Sequence, residues 1–185
     1  MSIFSTNVSL FICCFILSLS FISSSRERST EAQLATQVCR NTTDFNFCNQ
    51  TIYSDPRAPT ADRIVLAYIA FGTAYLNATN IQTQIQLKIT ENEGRKSNSS
   101  IDDQLKNCMD HYSDAIGALS EVLGNLDSES YYNFDKMSIE VRDHAYDCEM
   151  GFNGTTRSPM SKENMDLMKH TDVCYAVAML FPYTN

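Results

Sequence analysis

Hydrophobic positions along this chain recur at steps of three and four. From Ala61 to Thr90 they fall at Ile64, Ala67, Phe71, Ala74, Ala78, Ile81, Ile85 and Ile89, one face of a helix about eight turns long. Pro56 and Pro59 keep the preceding segment out of that helix, and Thr60 is its expected N-cap. The polar run Asn92 to Ser100 reads as a loop. A second stripe follows at Ile101, Leu105, Cys108, Tyr112, Ala115, Leu119, Val122 and Leu126, and a third at Phe134, Met137, Val141, Ala145, Cys148 and Phe152. After a break containing Gly154 and Pro159, Ser161 with Glu163 is expected to cap a fourth stripe of Met165, Met168, Asp172, Tyr175 and Met179. No useful strand-like alternation and no internal repeat is present. Four amphipathic helices with connections of about 4–12 residues predict an all-α, up-down-up-down four-helix bundle.

The N-terminus follows a different rule. Leu10 to Ile22 is a 13-residue apolar run, too short to span a bilayer unaided and of the length of a signal-peptide core. Ser23 and Ser25 set small residues before a cut at Arg26, so residues 1–25 are expected to be a signal peptide and 26–185 the mature domain. A membrane anchor is the competing reading, but no basic cluster flanks the run and no later apolar run reaches 18 residues. The mature chain is therefore expected outside membranes. Behind the leader lie five Asn-x-Ser/Thr sequons, at Asn41, Asn49, Asn77, Asn98 and Asn153, none with a central proline. Together with the leader they predict a secreted glycoprotein with these sites at its surface.

The net charge of −8 belongs entirely to the mature part, since residues 1–25 carry no charged side chain. An acidic chain of this kind is a poor ligand for nucleic acid or anionic membrane. No Gly-x-Ser-x-Gly, His-Glu-x-x-His or phosphate-cradling glycine loop occurs, so neither an enzyme nor a cofactor is expected. His111, His144 and His170 each stand without a second ligand at metal spacing along the chain and read as surface histidines. The acidic residues at helical spacing read as a solvated face.

Cysteine positions carry more information. Cys13 and Cys14 leave with the leader, so five remain: Cys39, Cys48, Cys108, Cys148 and Cys174. Secreted chains of this size are expected to form disulfides, and an odd count leaves one thiol. Cys39 and Cys48 flank a turn-rich segment able to fold back on itself. Cys108 lies 20 residues before Ser128, the centre of the turn between the second and third long helices, and Cys148 lies 20 after it. Both are thus about 30 Å along antiparallel neighbours and on facing stripes. The same register for the last hairpin puts Cys174 level with Glu140, which leaves Cys174 as a free, buried thiol.

This frame, with VCRNTTDFNFC at 38–48, SDPRAPTAD at 54–62, LKNCMDHYSDAIGAL at 105–119, DCEMGF at 147–152 and SPMSKENMDL at 158–167, resembles the plant invertase and pectin methylesterase inhibitor family over about Val38 to Leu180. Within it the chain is most similar to invertase inhibitors that include pollen allergens. The resemblance implies an N-terminal helical hairpin within residues 26–55, stapled by Cys39–Cys48, and a four-helix bundle over 60–181. It implies a secreted inhibitor of the apoplast, cell wall or vacuole that plugs the substrate cleft of an invertase, a glycoside hydrolase. A pectin methylesterase is the alternative target.

Invertase inhibitors of this family carry a Pro-Lys-Phe tripeptide after the second–third helix turn. Here those positions are Tyr131, Tyr132 and Asn133, which makes them the candidate target-binding residues. Two tyrosines beside Phe134 can act either as exposed anchors or as a staple of the helix start against the bundle end. The alanine-rich run expected before the fourth cysteine is replaced by SIEVRD at 138–143. Two other classes compete. A helical ligand carrier needs a hollow core, whereas the stripes hold Phe71, Leu105, Leu119, Met168 and Tyr175. A helical signalling ligand needs long crossover connections that these spacings do not supply. The sequence sets no oligomeric state.

Overall fold

The three- and four-residue spacing is realised as helix from end to end. The computed structural model describes residues 34–95, 99–152 and 158–181. The helices are α1 (residues 34–40), α2 (Phe45–Tyr53), α3 (Arg63–Arg95), α4 (Ser99–Asp127), α5 (Phe134–Gly151) and α6 (Ser161–Ala178), with a 3-10 turn at Ala58–Thr60. No strand occurs among the described residues. The leader and the sequons at Asn98 and Asn153 lie outside them.

α3 packs on α4, α4 on α5, α5 on α6, and α6 back on α3. Cross-contacts fix the directions. Gln82 donates to Ser113 (2.9 Å) and Asn92 to Asp102 (2.8 Å), so α3 and α4 run antiparallel. The result is an all-α, up-down-up-down bundle. The first three stripes form its core: Phe71, Ile81, Ile85, Leu105, Tyr112, Leu119, Phe134 and Val141 are all buried. Within the same core, α3 is the one described helix long and apolar enough to cross a membrane, and it lays its apolar face against α4 and α6.

Two helix starts differ from the sequence expectation. Thr60 falls in the 3-10 turn, and α3 is capped instead by Asp62, whose Oδ1 accepts from the Val65 amide at 2.9 Å. Ser161 does not cap α6; its hydroxyl donates across the helix pair to Glu149. The expected loop at Asn92–Ser100 is also shorter, since α3 runs to Arg95 and α4 restarts at Ser99.

The fourth stripe is the largest correction. Met165 (57%), Tyr175 (40%) and Met179 (60%) are exposed, and Met168 and Asp172 are only half-buried. The buried face is Asn164, Leu167, His170, Thr171, Val173, Cys174, Val177 and Ala178. α6 packs against α3, α5 and the N-terminal hairpin, so its buried arc is wide and includes polar residues. Asn164 is fully buried because it completes a polar chain through the core. Tyr112 Oη donates to Asn164 Oδ1 (2.9 Å), and Asn164 Nδ2 donates to Glu149 Oε2 (2.8 Å). A periodicity counted on apolar residues alone is rotated by such positions.

Cys39–Cys48 and Cys108–Cys148 are disulfides, and Cys174 is free and buried. Thr171 and Tyr175 line one α5–α6 groove with Ser138 and Arg142, which sets Cys174 near that level of α5 and away from Cys148. Burial pushes its thiol pKa well up, leaving it protonated and inert.

The α1–α2 hairpin docks on α6. Asp44 caps α2, accepting from Phe47 N at 3.0 Å, and pairs with Lys169 at 3.0 Å. The capping bond, then Lys169, hold its carboxyl below the usual range. Phe47 lies edge-on to His170 (centroids 4.9 Å apart) and beneath Lys169 Nζ. His170 is therefore a buried residue, not the surface histidine expected, because the hairpin covers it. Its Nδ1 has no hydrogen-bond partner, and burial lowers its pKa against a smaller opposing pull from Asp166.

Two predictions follow from the packing. Leu167→Ala should cost about 2–5 kcal/mol and Met165→Ala less than about 0.5 kcal/mol, measured by urea unfolding; the sequence stripe would give the reverse. His170 resists protonation when folded but charges freely at about pH 6.5 when unfolded. Stability should thus fall as pH drops below about 6.5, and His170→Leu should flatten that slope between about pH 7 and pH 5.

Candidate functional site

The α4–α5 turn is built by its hydrogen bonds before any side chain is considered. Ser130 N donates to Asn125 O (2.8 Å) and Glu129 N to Leu126 O (3.1 Å), the two bonds of a Schellman helix end. That motif needs a left-handed residue, here Glu129 with φ 56°. Asn133, which precedes α5, is left-handed as well, with φ 56°. These are the only non-glycine residues with positive φ among those described. Each costs an L-residue roughly 1–2 kcal/mol, so Ser130–Tyr132 is held between two strained pivots.

The three candidate residues part company on this turn. Tyr131 is half-buried, its ring 5.3 Å from Phe181 and edge-on to Phe134 at 6.4 Å. Phe134 in turn contacts Phe181 and Phe71, so Tyr131 is the staple. Tyr132 is 65% exposed, as an anchor would have to be. Asn133 turns the chain into α5, and its Oδ1 is buried without a partner. Beside them is a cleft of about 340 Å³ whose lining includes Arg63, Glu129, Tyr132, Asp135 and Phe181. Arg63 stacks its guanidinium 5.3 Å from the Phe181 ring centre. Tyr68 Oη donates to Asp127 at 2.7 Å, tying α3 to the end of α4, and that bond raises the Tyr68 pKa. The cleft brings together the exposed aromatic of the turn, a cation from α3 and the carboxylates of Glu129 and Asp135: recognition chemistry, with no nucleophile–base pair among these lining residues.

A second surface runs along α5 and α6. A groove of about 300 Å³ between α5 and α6 is lined by Ile139, Arg142, Asp172 and Tyr175, and the apolar Met179 and Met165 lie exposed on the same helix as Tyr175. The misassigned fourth stripe is thus a surface feature. No apolar signal could have found it, because its spacing is also that of a core face.

The histidines correct another expectation. His111 and His144 do not stand alone: their Nδ1 atoms are 3.4 Å apart across α4 and α5. They are far apart in sequence, and only the antiparallel pairing brings them together. Among the sequons, Asn41 is exposed, while Asn49 and Asn77 are half-buried and Asn77 has a buried Oδ1 within α3.

The turn itself makes a testable contrast. Tyr131→Ala removes the ring packed on Phe134 and Phe181 and should lower stability by about 1–3 kcal/mol, whereas Tyr132→Ala should change it by less than about 0.5 kcal/mol, both read from thermal melts.

Comparison with known proteins places this architecture. The family model described as plant invertase/pectin methylesterase inhibitor matches residues 33–177. The chain is 29% identical over 143 residues to a "Putative invertase inhibitor" of Platanus acerifolia, covering 74% of this chain and 75% of that one. It is 26% identical over 121 residues to the "Cell wall / vacuolar inhibitor of fructosidase 2" of Arabidopsis thaliana, covering 65% and 66%. Among solved structures, a mutant form of a pectin methylesterase inhibitor from Arabidopsis superposes with TM-score 0.67 at 17% identity, over 80% of this chain and 96% of that one. A second pectin methylesterase inhibitor, from Arabidopsis thaliana, gives TM-score 0.60 at 16% identity, over 83% and 99%. At these identities the structural likeness bears on the fold alone.

Proposed function

The chain belongs to the plant invertase/pectin methylesterase inhibitor family, a family of inhibitors rather than catalysts, and from that premise we propose that it is a secreted inhibitor of an invertase, of the cell wall or vacuole. It acts by seating the α4–α5 turn in the enzyme's substrate cleft. The observation that carries this reading is Tyr132, a 65% exposed aromatic on a turn pinned by two left-handed residues. A preorganised aromatic loses little entropy on binding, the property expected of an interface hot spot. The relatives named for invertase and fructosidase support the target. Tyr131 supports the anchor from beneath, and Arg63, Glu129 and Asp135 supply the polar rim around it.

Secretion is supported by the apolar leader at residues 10–22 and by the two disulfides, which persist in oxidising compartments. On this reading the sequons carry glycans at the surface, with Asn41 the most accessible of the three described.

A pectin methylesterase is the second target, favoured by the exposed Ile139, Tyr175 and Met179 on α5 and α6. An inhibitor that binds by helix faces would use such a groove in place of the turn.

One comparison separates the two. An aromatic anchor carries about 2 kcal/mol or more, so Tyr132→Ala should weaken inhibition of invertase at least ~30-fold while the melt stays unchanged. Inhibition of pectin demethylation, assayed in parallel, should be absent in both proteins. Normal invertase inhibition by the variant would remove the turn from the interface. Loss of demethylation by the native protein would move the target to the esterase.

A further inference from the structure

We propose that His170 is an acid-operated latch beneath the α1–α2 hairpin: when its imidazole takes up a second proton, the hairpin lifts off α6 as a unit. The hairpin is built to move in that way. Cys39–Cys48 closes it on itself, and the Thr36 hydroxyl meets Tyr53 Oη at 3.1 Å, whereas Cys108–Cys148 lies within the bundle. Its polar ties to α6 are made by two adjacent residues. Thr43 donates from N (3.0 Å) and from Oγ1 to Asp172 Oδ2, and Asp44 pairs with Lys169 at 3.0 Å. Phe47 then lies edge-on over His170, with ring centroids 4.9 Å apart.

Under that cover the ring has one favourable protonation state. His170 is 9% exposed, and its Nδ1 is buried without a hydrogen-bond partner. With the proton on Nε2, Nδ1 presents only a lone pair to its surroundings. A proton added there makes an N–H without an acceptor and a charge without solvent, both strongly unfavourable when buried. The charges around it do not compensate. Lys169 holds its ammonium 5.3 Å over the Phe47 ring and opposes an imidazolium. Burial lowers the His170 pKa, and Asp166, one turn away, opposes that only in part. Cys174, one turn on, stays a neutral thiol. On the hairpin, Arg40 is exposed, Asp44 is paired with Lys169, and α2 carries no charged side chain, with Tyr53 its one free titratable group. α3 has no charged side chain from Ile64 to Leu87, where Tyr68 and Tyr75 are its titratable groups. On α5, Arg142 lines the groove beside Asp172, and Glu149 accepts from Ser161 and Asn164. The Phe47 amide, then Lys169, hold the Asp44 carboxyl below the usual range, so the docking pair stays ionised while His170 titrates. Removal of Phe47 is what gives the new N–H water.

The test is amide hydrogen exchange of the intact, disulfide-bonded protein at about pH 7.5 and about pH 5, corrected for the intrinsic rates. In the released state the ring titrates at about 6.5, while in the docked state it stays neutral, so release should become about 30-fold more favourable at the lower pH. Protection of the α2 amides should therefore fall about 30-fold, with the α5 amides beside Cys148 remaining the better protected at both pH values. In His170→Leu the α2 protection should lose this pH dependence. A readout in the native protein guards against repacking in that variant: in NMR spectra the ring protons of His170 and Phe47 should shift with one pH midpoint. Equal α2 protection at the two pH values, the same fall in His170→Leu, or separate midpoints for the two rings would overturn the latch. So would α2 amides that exchange no faster than those of α5, since the hairpin would then open only with the whole fold.

Discussion

The Cys108–Cys148 bond and the α4–α5 turn clamp one helix pair at its two ends. Between them the helices run about 20 residues antiparallel, a distance of about 30 Å. A crosslink closing a loop of this length contributes roughly 3.9 kcal/mol by restricting the unfolded chain, but its larger consequence is register. With both ends fixed, Tyr112 can reach only one level of α6, where Asn164 receives its hydroxyl. His111 and His144 are likewise forced together. The turn at the far end cannot slide, so Tyr132 is presented in one place.

The polar chain Tyr112–Asn164–Glu149, joined by Ser161, is the second determinant of the fold. Burying an amide without partners costs about 1–3 kcal/mol, so this network penalises every rotation of α6 that breaks it. The helix is thereby held with Met165, Tyr175 and Met179 outward, although those residues would satisfy an apolar stripe. Specificity here comes from polar satisfaction, and the cost is an exposed apolar surface along α6.

The two ends of the bundle are filled differently. The aromatic series Phe71, Phe134, Phe181 and Tyr131 fills the turn end and leaves Tyr132 as the one aromatic of the turn without a place inside. At the other end the disulfide lies within the α4–α5 interface, with Leu105, Ala145 and Phe152 buried along the same two helices and His111 and His144 half-buried. Docking of the hairpin on α6 uses a charge pair and one aromatic, Asp44–Lys169 and Phe47. It covers His170 in a site whose Nδ1 has no partner.

The sequence by itself determined the helices and most of the core. Three stripes of apolar positions, from Ile64 to Ile89, Leu105 to Leu126 and Phe134 to Phe152, need no partner to be read, because each recurs at the helix period, although α3 also buries Leu66, Ile69 and Ala70 beside its stripe. Cysteine register was legible for the same reason: rise per residue is constant along a helix. The family likeness placed the candidate anchor at Tyr131–Asn133 but could not divide its roles. Only the tertiary structure decided that Tyr131 packs on Phe181 while Tyr132 faces solvent, since one turn bond rotates adjacent side chains to opposite sides. It also decided which face of α6 is buried, that His170 is covered, and that His111 meets His144. Each of these depends on a group contributed by another helix, and one-dimensional hydrophobic spacing holds no record of who the neighbour will be.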